Sequence, residues 1–242
     1  MCNLSKQTLE FNIEDCKEKS KKYICRELST KDVGIDIILT REYCQTVNHF
    51  FKCKTNDSSR GIYIPLYMQN DIIKKIGKNY IVINLDRINN ITDLEACIVH
   101  ELCHYVFDKK YLIVTENDIA YTKIRLNESE YDLYNEIWRK YTVFSEANAK
   151  YWQEKYRLTQ DKNITDLVRF YDNYLNEFQG DDESILSNSE LQYSLGVSRF
   201  LKENICLVDD VNKKGARRIV NFFSERPQWN KLFDEKSIFV KG

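Results

Sequence analysis

Glycine and proline are scarce in this chain, with seven glycines and only Pro65 and Pro227 among 242 residues. So few breakers exclude a many-turned all-β fold and favour long helices. No cysteine pair has the CxxC spacing of a zinc ribbon, although eight cysteines are scattered at 2, 16, 25, 44, 53, 97, 103 and 206. No secretory apolar run follows Met1-Cys2-Asn3-Leu4-Ser5-Lys6, so reduced thiols and a cytoplasmic location are expected. No stretch reaches the roughly 18 apolar residues of a spanning helix, so no membrane partner is expected. Charge of one sign is lacking too: 36 Lys plus Arg nearly cancel 37 Asp plus Glu. That balance removes any global attraction to nucleic acid or an anionic membrane and leaves only local basic patches. Histidines number just three.

What is present suits a folded protein. A 43% hydrophobic share with 13% aromatics supplies a core, and 30% charged residues supply a solvated surface. The length allows one good-sized core, or one domain plus a helical extension. Strands are predicted at 34–39, 61–66 and 80–85, where β-branched residues cluster. Residues 41–59 fit a hairpin or a short helix. Helices are predicted within 8–28 and at 93–108, 128–157, 166–178, 184–202 and 216–224, with Thr92 as N-cap of the second. The expected class is α+β: a small mixed β-sheet with an active-site helix, followed by a mainly helical C-terminal part. The expected division is 1–158 and 159–242, at the polar stretch Thr159 to Thr165, with the second part packed on the first.

Chemistry concentrates at His100-Glu101-Leu102-Cys103-His104, an HExxH motif. Residues four apart on a helix lie one turn apart on one side, so His100 and His104 can aim their imidazoles at one ion. Leu94, Ile98, Leu102, Tyr105 and Val106 form the expected core-facing stripe, with the histidines beside it. Glu101 is placed to take a proton from metal-activated water without being a ligand. Ordinary residue frequencies give on the order of 1% for one such motif in a chain of this length, so chance alone is a poor account of it. A third ligand is needed. His49, among aromatic neighbours, is expected to pack instead. Asp108 stands eight residues from His100, about 12 Å along a straight helix, too far to converge unless the helix breaks. Glu146, on a second long helix with small Ala147 and Ala149 to permit close approach, is the favoured third ligand, with Asp108, Glu136 and Glu130 as alternatives.

The strand at 80–85, the motif in Ile98-Val99-His100-Glu101-Leu102-Cys103-His104 and the later Glu146-x-x-Ala149 helix resemble the ImmA/IrrE-type metallopeptidases, which are zincins with a glutamate ligand. The resemblance covers roughly residues 60–155. It implies zinc bound by the two histidines and the downstream glutamate, a cytosolic protein, and a repressor-type protein substrate. It also makes 80–85 the edge strand that lines the substrate cleft. Lys150 stands where that family usually has Asn or Asp. The motif is similar as well to that of the SprT-like, DNA-associated proteases, which use a third histidine that this sequence lacks downstream.

Together these readings predict a zinc metallopeptidase acting on a protein or peptide. Two rivals remain. One is a regulatory protein that docks a partner on the same scaffold, and the other is a protease that contacts DNA through Lys213, Lys214, Arg217 and Arg218. Tyr105 and Tyr151 lie near the ligands in sequence and are candidates to donate to an oxyanion, with simple packing the favoured role for both.

Overall fold

The structure is a computed structural model that describes residues 13–31, 33–51, 59–114, 120–122, 130–161, 163–181 and 183–235. The chain divides into two compact units: Met1–Lys109 with Val114–Ala120, and Lys110–Ile113 with Tyr121–Gly242. The boundary anticipated at 159 falls inside the second unit. The physical reason is that Val143, Ala147 and Tyr151 share one buried cluster with residues from Ile164 to Trp229.

In the first unit, helix α1 (Ile13–Glu27) precedes strand β1 (Asp36–Thr40), helix α2 (Tyr43–Phe50), strand β2 (Gly61–Ile64), a 3-10 turn at Leu66–Met68, helix α3 (Asp71–Lys74) and strand β3 (Tyr80–Asn84). The undecided segment after β1 is therefore helical as far as Phe50. The sheet order is β1-β3-β2, with β3 parallel to β1 and antiparallel to β2. Alternation sorts the side chains of β3 between two layers. Tyr80 and Val82 join Tyr43, Val47 and Phe50 of α2, whereas Ile83 lies on the opposite face with Gly61 and with residues of the helix that follows.

This arrangement corrects one expectation. Residues 80–85 do not form the edge strand: β3 is the central strand, buried along its whole length, with partners on both sides. Strand β2 is the edge instead. It ends where Pro65, which has no N–H to give a ladder, begins the 3-10 turn.

After a 3-10 turn at Leu85–Arg87 comes helix α4 (Ile91–Tyr111). Asn90, not Thr92, caps it, because the Asn90 side chain accepts the Asp93 N–H at 2.8 Å. Asp93 in turn accepts from the Asn89 N–H at 3.2 Å and from Arg60 at 3.0 Å, which ties the residue before β2 to the start of α4. The expected stripe is buried, but so is almost every other face. Between Asp93 and Phe107 only His104 is partly open, and the next partly open position is Asp108. Glu95 on this helix is also buried. Lys19 of α1 approaches it at 3.7 Å, and burial, followed by the charge of Glu95, pushes the Cys16 thiol up to about 11.

Two short strands, β4 (Leu112–Val114) and β5 (Ala120–Thr122), pair with each other. The second unit is otherwise helical: α5 (Glu130–Gln160), α6 (Thr165–Glu177), α7 (Ser189–Asn204), α8 (Lys213–Ser224) and α9 (Pro227–Lys231). The stretch predicted as one helix over 184–202 is a 3-10 turn at Ser184–Leu186 and then α7, which restarts because Asn188 accepts the Leu191 N–H at 3.1 Å. Gly196 of α7 lies against α5 so closely that a Cβ there would stand 2.2 Å from the Ala147 carbonyl oxygen. Small Ala147 thus accommodates α7. Two of the four cations considered for DNA contact are engaged locally: Lys213 pairs with Asp210 at 2.6 Å, and Arg218 Nε donates to the Asp172 carboxylate at 2.8 Å. Among the described residues, no helix is long and apolar enough to cross a membrane.

Candidate metal centre

Helix α4 supplies two of the site's donors from one of its sides. The His100 and His104 rings have centroids 4.9 Å apart and planes at 76°, so their edges converge instead of stacking. His100 is buried and His104 partly open. Glu146 of α5 joins them: the three residues each offer a ligand atom, and these atoms lie within 4.8 Å of one another. Among the described residues no other set of three His, Cys, Asp or Glu side chains converges in this way.

The donor chemistry fits a metal. Two imidazole nitrogens and one carboxylate oxygen form the protein half of an open tetrahedral site, and this mixture suits zinc and its first-row neighbours. Ligands about 2.0–2.1 Å from a tetrahedral ion would stand roughly 3.3 Å apart, a separation of the same order as the 4.8 Å within which these atoms lie.

The rival ligands are placed elsewhere. Asp108 lies outside the convergent group and accepts a hydrogen bond from the Tyr67 hydroxyl at 3.2 Å. His49 is exposed in the last turn of α2, edge-on to Phe50 at 5.5 Å. The side chains of Glu130 and Glu136 fall outside the described residues. Lys150, the residue four beyond Glu146, turns away to Glu154 at 2.6 Å and to the face of Tyr171.

Glu101 is buried beside β2. A Cβ on Gly61 would stand 3.0 Å from its Oε1, 3.1 Å from Cys97 Sγ and 2.8 Å from Ile83 Cδ1, so the bare backbone of Gly61 is what lets the strand pass over the carboxylate. The carboxylate has a second neighbour in Tyr43, whose hydroxyl is pushed well above the ordinary tyrosine range, chiefly by burial and then by the charge of Glu101. Tyr43 therefore keeps its proton. Neither Gly61 nor Tyr43 was singled out from sequence. The available signal was an isolated glycine opening a strand, a mark of close backbone approach.

The strand register shows what β2 exposes. The Asn84 N–H donates to the Arg60 carbonyl at 2.8 Å, which makes that pair a hydrogen-bonded one. In an antiparallel ladder the next pair is then non-hydrogen-bonded, so Gly61, opposite Ile83, and Tyr63, opposite Ile81, turn their N–H and C=O groups to the outer edge. Among the described residues no strand pairs with that edge. The tyrosines considered for an oxyanion role have other partners. The Tyr105 hydroxyl accepts from Lys109 at 3.3 Å, and the Tyr151 hydroxyl donates to Glu203 at 2.7 Å.

The chain matches no family model, no curated protein and no solved structure. The resemblance to ImmA/IrrE-type metallopeptidases thus rests on the motif residues themselves.

Proposed function

We propose that this chain is a zinc-dependent metallopeptidase that cleaves an extended segment of a protein substrate, with His100, His104 and Glu146 holding the metal and Glu101 acting as general base. The observation that carries this reading is the convergence of His100, His104 and Glu146, with Glu101 one residue from the first ligand on the same helix. Zinc in such a site supplies a Lewis acid for a carbonyl and lowers the pKa of water towards about 7.

The chain's own residues account for the remaining steps. Glu101 accepts a proton from the attacking water at a carboxylate oxygen and delivers it to the departing amine, which returns Glu101 to its carboxylate form for the next cycle. The open N–H and C=O groups of Gly61 and Tyr63 offer an extended peptide a ladder to pair with, and Gly61 places that ladder beside Glu101. An extended main chain is thereby favoured over a small molecule as substrate.

Purified protein should bind one zinc per chain and hydrolyse unfolded protein, with a chelator blocking activity and zinc restoring it. Glu101→Gln should keep the metal and lower hydrolysis by roughly 10²–10⁴-fold, the usual worth of a general base. Glu146→Ala should lose the metal. Full activity in Glu101→Gln contradicts the mechanism, and stoichiometric metal without proteolysis would instead favour a protein that docks a partner.

A further inference from the structure

A cluster one turn beyond the metal ligands serves no role in the steps above. Asp108 follows His104 by four residues, so the two lie on the same side of α4, and they are the partly open positions in its second half before Lys109. The carboxylate faces β2 and the turn after it. Tyr67, in the 3-10 turn, donates its hydroxyl to Asp108 Oδ2 at 3.2 Å. The ring of Tyr63, on β2, meets Tyr105 of α4 edge-on at a centroid distance of 6.1 Å, and burial, followed by the charge of Asp108, pushes its hydroxyl above the ordinary tyrosine range. Asp108 thus gathers one hydroxyl from the exit of the edge strand onto the helix that carries His100, Glu101 and His104.

Tyr63 is the residue in which two functions meet. Its backbone N–H and C=O face the outer edge, while its side chain packs edge-on against Tyr105 of α4. Gly61, two residues earlier on the same face of β2, lies over Glu101. The strand is therefore held to α4 at two points: by Arg60 to Asp93 near the helix start and by Tyr67 to Asp108 near its end. Hydroxyl groups donating to a carboxylate form charge-assisted hydrogen bonds, stronger than neutral ones and fixed in direction.

We propose that Asp108 is a positioning residue for substrate: through Tyr67, at the exit of β2, it clamps the outer edge of that strand at a fixed height over Glu101, so that a peptide paired with the edge presents its scissile carbonyl to the metal. This rests on the peptidase reading, and it assigns to Asp108 a part in binding a main chain without ligating the metal. It makes no direct contact with the reacting atoms.

The test uses the full-length, zinc-loaded protein with Tyr67→Phe, Asp108→Asn and the double variant. Each should retain wild-type zinc stoichiometry. For an oligopeptide long enough to pair with the strand, KM should rise about tenfold with kcat within about twofold, because the reacting groups are intact. The double variant should be no worse than the worse single one, since both break the same contact. Unchanged KM, loss of zinc in Asp108→Asn, or additive effects in the double variant would overturn the proposal. Amide hydrogen exchange separates this failure from failure of the peptidase reading. Faster exchange at 61–64 and 66–68 in the variants, with β1 unchanged, supports the clamp even in a protein without hydrolytic activity, and unchanged exchange at those amides refutes it.

Discussion

Gly61 illustrates how much one absent methyl group can decide. The contacts awaiting a Cβ there are the flexible ends of Ile83 and Glu101 and the sulfur of Cys97, so Gly61→Ala should fold with little loss of stability while displacing the Glu101 carboxylate. Misplacement by about 1 Å can cost on the order of 10²-fold, so hydrolysis should fall by roughly 10–10²-fold while zinc stoichiometry and thermal midpoint stay near wild type. Activity equal to wild type in that variant would remove Gly61 from the site. His100, Glu101 and His104 were legible in the sequence because their spacing repeats the helix, and Glu146 because a glutamate three residues before Ala149 on a long helix fits a known pattern. Gly61, Tyr43 and the partner of Asp108 were not. Each owes its role to a crossing of segments tens of residues apart, which no local pattern records.

At the scale of elements, the crossing of α7 over α5 sets the position of the third ligand. Gly196 meets the Ala147 carbonyl, a backbone atom with little freedom to yield, directly next to Glu146. Gly196→Ala should force the helices apart, destabilise the second unit by about 1–3 kcal/mol and weaken zinc binding in the same variant. Chemical denaturation and a competitive zinc titration check the two effects, and an unaltered denaturation midpoint would mean that the crossing tolerates the added group. The sequence placed the three sheet strands and the long helices, since their periodicities are strong. It misassigned the edge strand. Order within a sheet depends on which strand inserts between the others, and β3 enters between β1 and β2 although it comes last in the chain. The start of α4 was displaced by two residues because both Asn90 and Thr92 carry capping chemistry, and only geometry shows that Asn90 uses it.

For the whole molecule, the near-neutral charge balance leaves long-range electrostatics weak, so the proposed peptidase would draw its specificity from short-range contacts. The division near residue 110 assigns the long helix α5 to the helical unit, whose core runs from Val143 to Trp229. From sequence that helix was grouped with the sheet because the polar stretch Thr159 to Thr165 follows it. Its apolar residues, not its functional one, decide where it packs. Under the proposed function, ligands drawn from α4 and α5 would make metal binding a stability term for the folded chain. With free zinc at about 100 times its dissociation constant, the gain is about 2.7 kcal/mol, or roughly 5–10 °C in thermal midpoint for a chain of this size. Differential scanning calorimetry with zinc and with chelator should show that rise in the wild type and lose it in Glu146→Ala. An equal rise in both would mean that the zinc binds elsewhere.

The outer edge of β2 carries one last implication. A row of amide and carbonyl groups has a sense of travel and a handedness, as a ratchet does. Two residues suffice to fix both, since Gly61 and Tyr63 alternate with Ile62 and Ile64, whose side chains face the α2 layer. Under the proposed function, a sequence laid along this edge would be read first by the direction of its main chain and only afterwards by its side chains. Selection would then begin with topology: a loop too tightly folded to straighten, or a strand already paired in a sheet, would be refused before any residue is inspected.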